Sequence, residues 1–205
     1  KYKIIKNNIG YLRLTTFMQN DTPEEMKEAI AALKKQGMSA LIFDIRSNPG
    51  GLLPNAVEIG SLFVSDGPIV RIVDRDGKEE KLNANGRPVL DKNVPMAVLI
   101  DGGSASASEI VAGTLKDNQR AVLVGTRTFG KGLVQTVHNL SNGSGIAITT
   151  NKYLTTKGTD INKKGIEPDI QVAVPKDVLD KPYSESIDVQ LQKAIELMSE
   201  RIARK

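Results

Sequence analysis

Cysteine is absent from the 205 residues. That excludes disulfides, thiolate metal sites and a cysteine nucleophile, and it leaves the compartment open. Tryptophan is absent as well, and aromatic residues make up 4% of the chain, too few for the stacking platforms that hold single-stranded nucleic acid. No apolar run approaches the length a membrane-spanning helix requires, about 18 residues. No secretory leader is visible, and the chain opens on Lys1 rather than Met, so a trimmed or processed chain is expected. The net charge is only +4. Its basic groups, Lys34-Lys35, Lys163-Lys164 and the 201–205 tail, are short and read as solvated faces, with no nucleic acid expected as a partner. There is one histidine, His138, so a Ser–His–Asp arrangement would have to use it.

What is present is the patterning of an α/β protein. Ala40–Ile45 (ALIFDI) and Pro95–Ile100 (PMAVLI) are nearly continuous apolar runs, as expected of strands covered on both faces. Ile9–Phe17, Ile69–Asp74, Glu79–Leu82, Ala121–Val124, Leu133–Leu140, Gly145–Thr150 and Pro168–Pro175 read as further strands, with Glu79–Leu82 at a sheet edge. Ser141-Asn142-Gly143-Ser144 marks a hairpin turn. Helices are expected after Thr22 (Thr22 as cap, Pro23 in the first turn, Glu25 closing a capping box), over about Pro54–Val64, from about Ala105, and over Ser184–Arg204. The last carries Ile187, Leu191, Ile195 and Met198 on one face and is expected to pack on the core. No repeat or linker divides the chain, so one layered α/β domain over 1–205 is expected, with helix 184–204 appended.

Three glycine-rich loops directly follow buried strands: Asn48–Leu52, Gly102–Glu109 and Gly125–Gly132. In α/β sheets, sites form at such strand ends. In the second loop, Ser104, Ser106 and Ser108 fall at a helix start, where serine commonly only caps. The alternative is a nucleophile at a strand-to-helix turn, where free N–H groups and the helix dipole favour an oxyanion. Such a hydroxyl needs a base. His138 lies within a strand and suits surface or core better than catalysis. Lys131, between Gly130 and Gly132, suits a crowded site, provided that apolar neighbours such as Phe129, Leu133 and Val134 help bring its pKa down from ~10.4. The same loop matches seven positions of a phosphate-binding loop, but Gly132 stands where Ser or Thr must hold Mg²⁺, and a strand follows instead of a helix.

Four blocks, Asp44–Leu52, Gly103–Ile110, Arg127–Gly132 and Gly158–Asp169, resemble the carboxyl-terminal processing (tail-specific) serine peptidases, in that family's order and over about Ile9–Val174. The resemblance implies a mixed-sheet core of the crotonase/caseinolytic-protease spiral type and a Ser–Lys dyad. Ser106 is then the nucleophile, Lys131 the general base and Gln135 the polar residue that orients it. Gly51 and Ala107 supply the oxyanion hole, with Gly50 the near alternative, and Glu109 supports the site or merely stabilises its helix. It further implies no metal or cofactor, a protein or peptide substrate with an exposed C-terminus, and a periplasmic, envelope or thylakoid-lumen location. Family members carry a regulatory PDZ domain, for which the stretch before Ile9 has no room; regulation by such a domain or a partner protein, and homo-oligomer formation, belong to the same expectation. Two competing readings stand beside it: a non-catalytic module that holds peptide by strand addition, and a crotonase-like acyl-transfer enzyme, for which no acyl-thioester site is visible.

Overall fold

The computed structural model describes residues 1–179 and 181–204. The strands are β1 (Tyr2–Ile5), β2 (Ile9–Arg13), β3 (Ala40–Asp44), β4 (Pro68–Asp74), β5 (Glu79–Asn83), β6 (Met96–Ile100), β7 (Val122–Gly125), β8 (Leu133–Asn139), β9 (Gly145–Leu154) and β10 (Ile170–Gln171). The helices are α1 (Thr22–Lys35), α2 (Leu53–Ser61), α3 (Ala107–Asp117), α4 (Lys176–Leu179) and α5 (Val189–Ala203). Among the described residues, no helix is long and apolar enough to cross a membrane.

The strands form two sheets. The larger runs β1-β2-β3-β6-β7-β10; β1 is antiparallel to β2 and every other pair is parallel. The smaller, β5-β4-β9-β8, is antiparallel throughout. β5 lies at an edge, as its charge pattern predicts.

The apolar runs of β3 and β6 are explained by cover on both sides. Leu41, Phe43, Ile45, Met96, Val98 and Ile100 face one core, completed by Met26, Ile30 and Leu33 of α1, Ala56 and Ile59 of α2, and Val111 and Leu115 of α3. Ala40, Ile42, Ala97 and Leu99 face a second core, closed by Leu191, Ala194 and Met198 of α5. Each fully buried aliphatic side chain contributes about 1.5–3 kcal/mol. This two-sided cover holds the strand ends still and fixes the loops that leave them.

Three local expectations are corrected. The first helix does not use Thr22 as its cap. Asp21 already has helical dihedrals and the Thr22 N–H is taken by Gln19 O, so helical geometry starts one residue earlier, and Thr22 Oγ1 is buried without a hydrogen-bond partner. The last helix starts at Val189 rather than near Ser184, because the Asp188 carboxylate accepts the Leu191 N–H and caps it there. Consequently Ala194, not Ile187, completes the face with Leu191 and Met198. The β1 strand carries no clear sequence signal: Tyr2 and Lys3 are exposed, Ile4 and Ile5 are half-buried, and it pairs only with β2.

The outer part of the β8–β9 hairpin stands away from the cores, while Tyr153 at its base is buried in the first. Val137 is 65% exposed, and Leu140, Ile146 and Ile148 are also exposed.

Candidate active site

β3, β6 and β7 are parallel neighbours, so the loops 45–52, 101–106 and 126–132 leave from the same edge of the sheet. Hydrogen bonds stitch the first two together. Asp101 Oδ1 accepts the N–H groups of Ser47 (2.8 Å) and Gly103 (2.9 Å). Asn48 is fully buried; its carbonyl accepts the Ala105 N–H (3.0 Å) and the Ser108 hydroxyl (2.9 Å), while its Nδ2 donates to Leu14 O. Asn48 Oδ1 also accepts the Gly50 N–H at 2.9 Å. That amide is consumed. Among the described residues, the N–H groups of Gly51 and Ala107 donate to no backbone acceptor.

Gly50 has φ +97°, and a Cβ there would lie 2.6 Å from Ala105 O and 2.9 Å from both Ala107 N and Ser106 Cβ. Only glycine lets this loop lie against the serine turn.

The structure separates the three serines. Ser104 and Ser108 are fully buried, and their hydroxyls donate to Ile45 O and Asn48 O. Ser106 is half-buried at the N-cap of α3 with φ +56° and ψ −115°. A non-glycine residue held there stores on the order of 1–3 kcal/mol of strain, which the surrounding hydrogen bonds must hold. The turn places the side chain at the positive end of α3.

Glu109, one turn into α3, is fully buried and accepts four hydrogen bonds. Its Oε1 takes the Thr128 hydroxyl (2.6 Å) and the Gly130 N–H (2.7 Å). Its Oε2 takes the N–H groups of Ser106 and Lys131, each at 2.9 Å. The backbones of Ser106 and Lys131 thus lie within two hydrogen-bond lengths of each other, joined by one oxygen. Thr128 in turn accepts the Ile166 N–H at 2.7 Å. Gly130 and Gly132 pack on the 162–165 turn, where a Cβ at Gly132 would meet Asn162 N at 2.7 Å.

Two expectations fare differently. Phe129, Leu133 and Val134 do not bury Lys131: its side chain is exposed, as are Phe129 (66%) and Leu133. Gln135 lies on β8 just past a register shift between Val134 and Gln135; it is exposed, with no hydrogen bond to Lys131 among the described residues. His138 is exposed on the hairpin, opposite Ile146, and outside this cluster. Asn48, Asp101 and Thr128 stand in or beside the glycine-rich loops in the sequence, with little there to show the roles they take here. An asparagine before Pro-Gly-Gly was the one visible signal among them.

Behind the first loop lies a buried charge cluster. Arg46 donates from Nε and Nη2 to Asp44 (3.0 and 2.7 Å) and from Nη1 and Nη2 to Asp188 (2.9 and 2.8 Å), with Gln190 Oε1 on Nη1 at 3.1 Å. Tyr11 donates its hydroxyl to Asp44 at 2.7 Å. Burial opposes the Arg46 charge, but hydrogen bonds to the two carboxylates outweigh it and raise the guanidinium pKa. Burial likewise opposes ionisation of Asp188, and the Arg46 and Leu191 donors outweigh it, lowering that pKa. Burial, then the Asp44 charge, pushes the Tyr11 phenol up.

Comparison with known proteins matches this architecture and sequence. The model of peptidase family S41 matches residues 8–172. The chain is 44% identical over 196 residues to the carboxyl-terminal-processing protease of Synechocystis sp., covering 96% of this chain and 45% of that one. It is 46% identical over 167 residues to the chloroplastic C-terminal processing peptidase of Tetradesmus obliquus, covering 82% and 36%. A solved photosystem II D1 C-terminal processing protease superimposes with a TM-score of 0.76 at 45% identity, over 82% of this chain and 44% of that one. The chain therefore spans less than half the length of these curated relatives, and over that span it belongs to peptidase family S41.

Proposed function

We propose that the chain is the catalytic core of a serine endopeptidase that cleaves proteins near their C-termini, with Ser106 as nucleophile and Lys131 as general base. The observation that carries this is Glu109 Oε2, which accepts the backbone N–H groups of both residues; the Gly50 backbone packs on Ser106 and Ala107, and among the described residues the Gly51 and Ala107 N–H groups donate to no backbone acceptor.

In this mechanism, Lys131 Nζ, in its neutral form, takes the Ser106 hydroxyl proton as Oγ bonds to the peptide carbonyl carbon. The Gly51 and Ala107 N–H groups hold the oxyanion; loss of one such donor lowers the rate by about 10²–10³. As the C–N bond breaks, the proton passes to the leaving amine and an acyl-enzyme remains, which water cleaves. Gln135, on the strand that follows, orients the Lys131 amine once substrate is bound. Glu109 acts as a positioning residue. Relatives from cyanobacteria and a chloroplast support a thylakoid-lumen or cell-envelope setting. The substrate is a protein tail, presented by a PDZ domain or a partner protein.

The test is covalent labelling by a fluorophosphonate together with cleavage of a peptide panel. Labelling should map to Ser106, and Ser106→Ala and Lys131→Ala should remove cleavage while the folded signal persists. A folded Lys131→Ala protein that cleaves at the wild-type rate refutes the dyad. Absent labelling with retained peptide binding favours a binding module.

A further inference from the structure

Arg46 stands one residue before Ser47, whose φ of +54° turns the chain into the Asn48-Pro49-Gly50-Gly51 loop. The Arg46 side chain points away from the reacting face, to the α5 side of the sheet. There each of its five N–H donors has a partner: one on Nε, two on Nη1 and two on Nη2. Asp44 alone would hold one edge of the guanidinium, but Asp44 lies on the same strand and moves with it. The second carboxylate is Asp188, which caps α5 and so is anchored by a different element. Gln190, which shares Arg46 Nη1, also donates to Val172 O, beside the β7–β10 edge. Asp188 is 7% exposed and lies beyond the residues matched to the family model.

We infer that Asp188 is a positioning residue for the proposed oxyanion hole: through Arg46 it clamps the loop that carries the Gly51 N–H. This rests on the peptidase reading for its functional half and on the geometry alone for its mechanical half. Two independently anchored carboxylates around one planar guanidinium fix the position and the rotation of the arginine, and the loop starts at that residue. With one of them gone, the guanidinium can swing with β3, and the loop loses its fixed origin.

The experiment compares the wild-type chain with Asp188→Asn, which keeps an N-cap acceptor for α5 but removes the charge. Amide hydrogen exchange of the peptide covering 46–52 should quicken by at least about ten-fold, with β3 and β6 still protected, since loops open locally while core strands do not. On a cleavable peptide, kcat should fall by about ten-fold or more with KM within about two-fold, because the interaction lost acts in the transition state. Met198→Ala supplies a control that weakens α5 packing without touching Arg46. Unchanged exchange in 46–52 overturns the inference, as does equal loosening by Met198→Ala. A wild-type chain that resists labelling at Ser106, together with a loosened loop in Asp188→Asn, sinks the peptidase reading and leaves the clamp standing.

Discussion

Replacing Glu109 by Gln is the sharpest perturbation of this site, because it changes neither shape nor size. All four groups around the carboxylate donate to it: the Thr128 hydroxyl and the N–H groups of Gly130, Ser106 and Lys131. An amide presents one oxygen and one NH₂, so one side of the pocket must face a donor against donors. With the NH₂ on the Oε2 side, the Ser106 and Lys131 amides both lose their acceptor. With it on the Oε1 side, the Gly130 amide does, and Thr128, which can still accept from the NH₂ with its second lone pair, leaves its own O–H without the Glu109 acceptor. Each buried donor left unsatisfied costs about 1–3 kcal/mol. One or two such losses put Glu109→Gln roughly 1–6 kcal/mol below wild type, set against a domain's stability of ~5–15 kcal/mol. Urea unfolding followed by circular dichroism measures this directly. Fluorophosphonate labelling of Ser106 below the unfolding transition should also slow by ten-fold or more, since the serine and lysine backbones lose their common anchor. A variant that unfolds at the wild-type urea midpoint and labels at the wild-type rate would refute the argument that this carboxylate joins the two loops.

Further outcomes follow from the same geometry. Gly50→Ala should abolish peptide cleavage and lower the urea midpoint, because the new Cβ has 2.6 Å to the Ala105 carbonyl and φ is +97°. Thr128→Val, nearly the same shape, should lose about 1–3 kcal/mol by stripping an acceptor from Ile166 and a donor from Glu109, read by urea unfolding. The pKa of Asp188 is depressed in the folded state, so its stabilisation is present above the unfolded value of ~3.9 and is lost as the pH falls through the folded value. Asp188→Asn should therefore be less stable than wild type at pH 7, with the gap closing in acid; a gap that stays constant down to the acid transition contradicts the linkage.

The parallel strands were legible because cover on both faces leaves a local trace, the unbroken apolar runs of β3 and β6. The three site loops were legible because glycine after a buried strand is a local signal too. What the sequence hid is long-range. That Gly50 spends its amide on Asn48, leaving Gly51, depends on where one side chain turns. That Glu109 serves as more than a helix-terminal carboxylate depends on donors 19 to 22 residues away. The pairing of β4 with β9 joins segments separated by most of the chain's middle, with no pattern in either to announce the other. Lys131 illustrates a different gap: its apolar neighbours are adjacent in sequence, yet adjacency along a loop and a strand start does not bring side chains over one another.

The Arg46–Asp188 ion pair spans 142 residues. At about 5–20 residues added per second, a ribosome needs on the order of ten seconds to follow one partner with the other. Within that interval Ser106 and Lys131 are made, while the arginine of the glycine loop has only Asp44 of its two carboxylate partners. A nascent chain thus carries Ser106 and Lys131 before α5 can brace the glycine loop, so the order of synthesis itself delays the proposed clamp until Asp188 has been added.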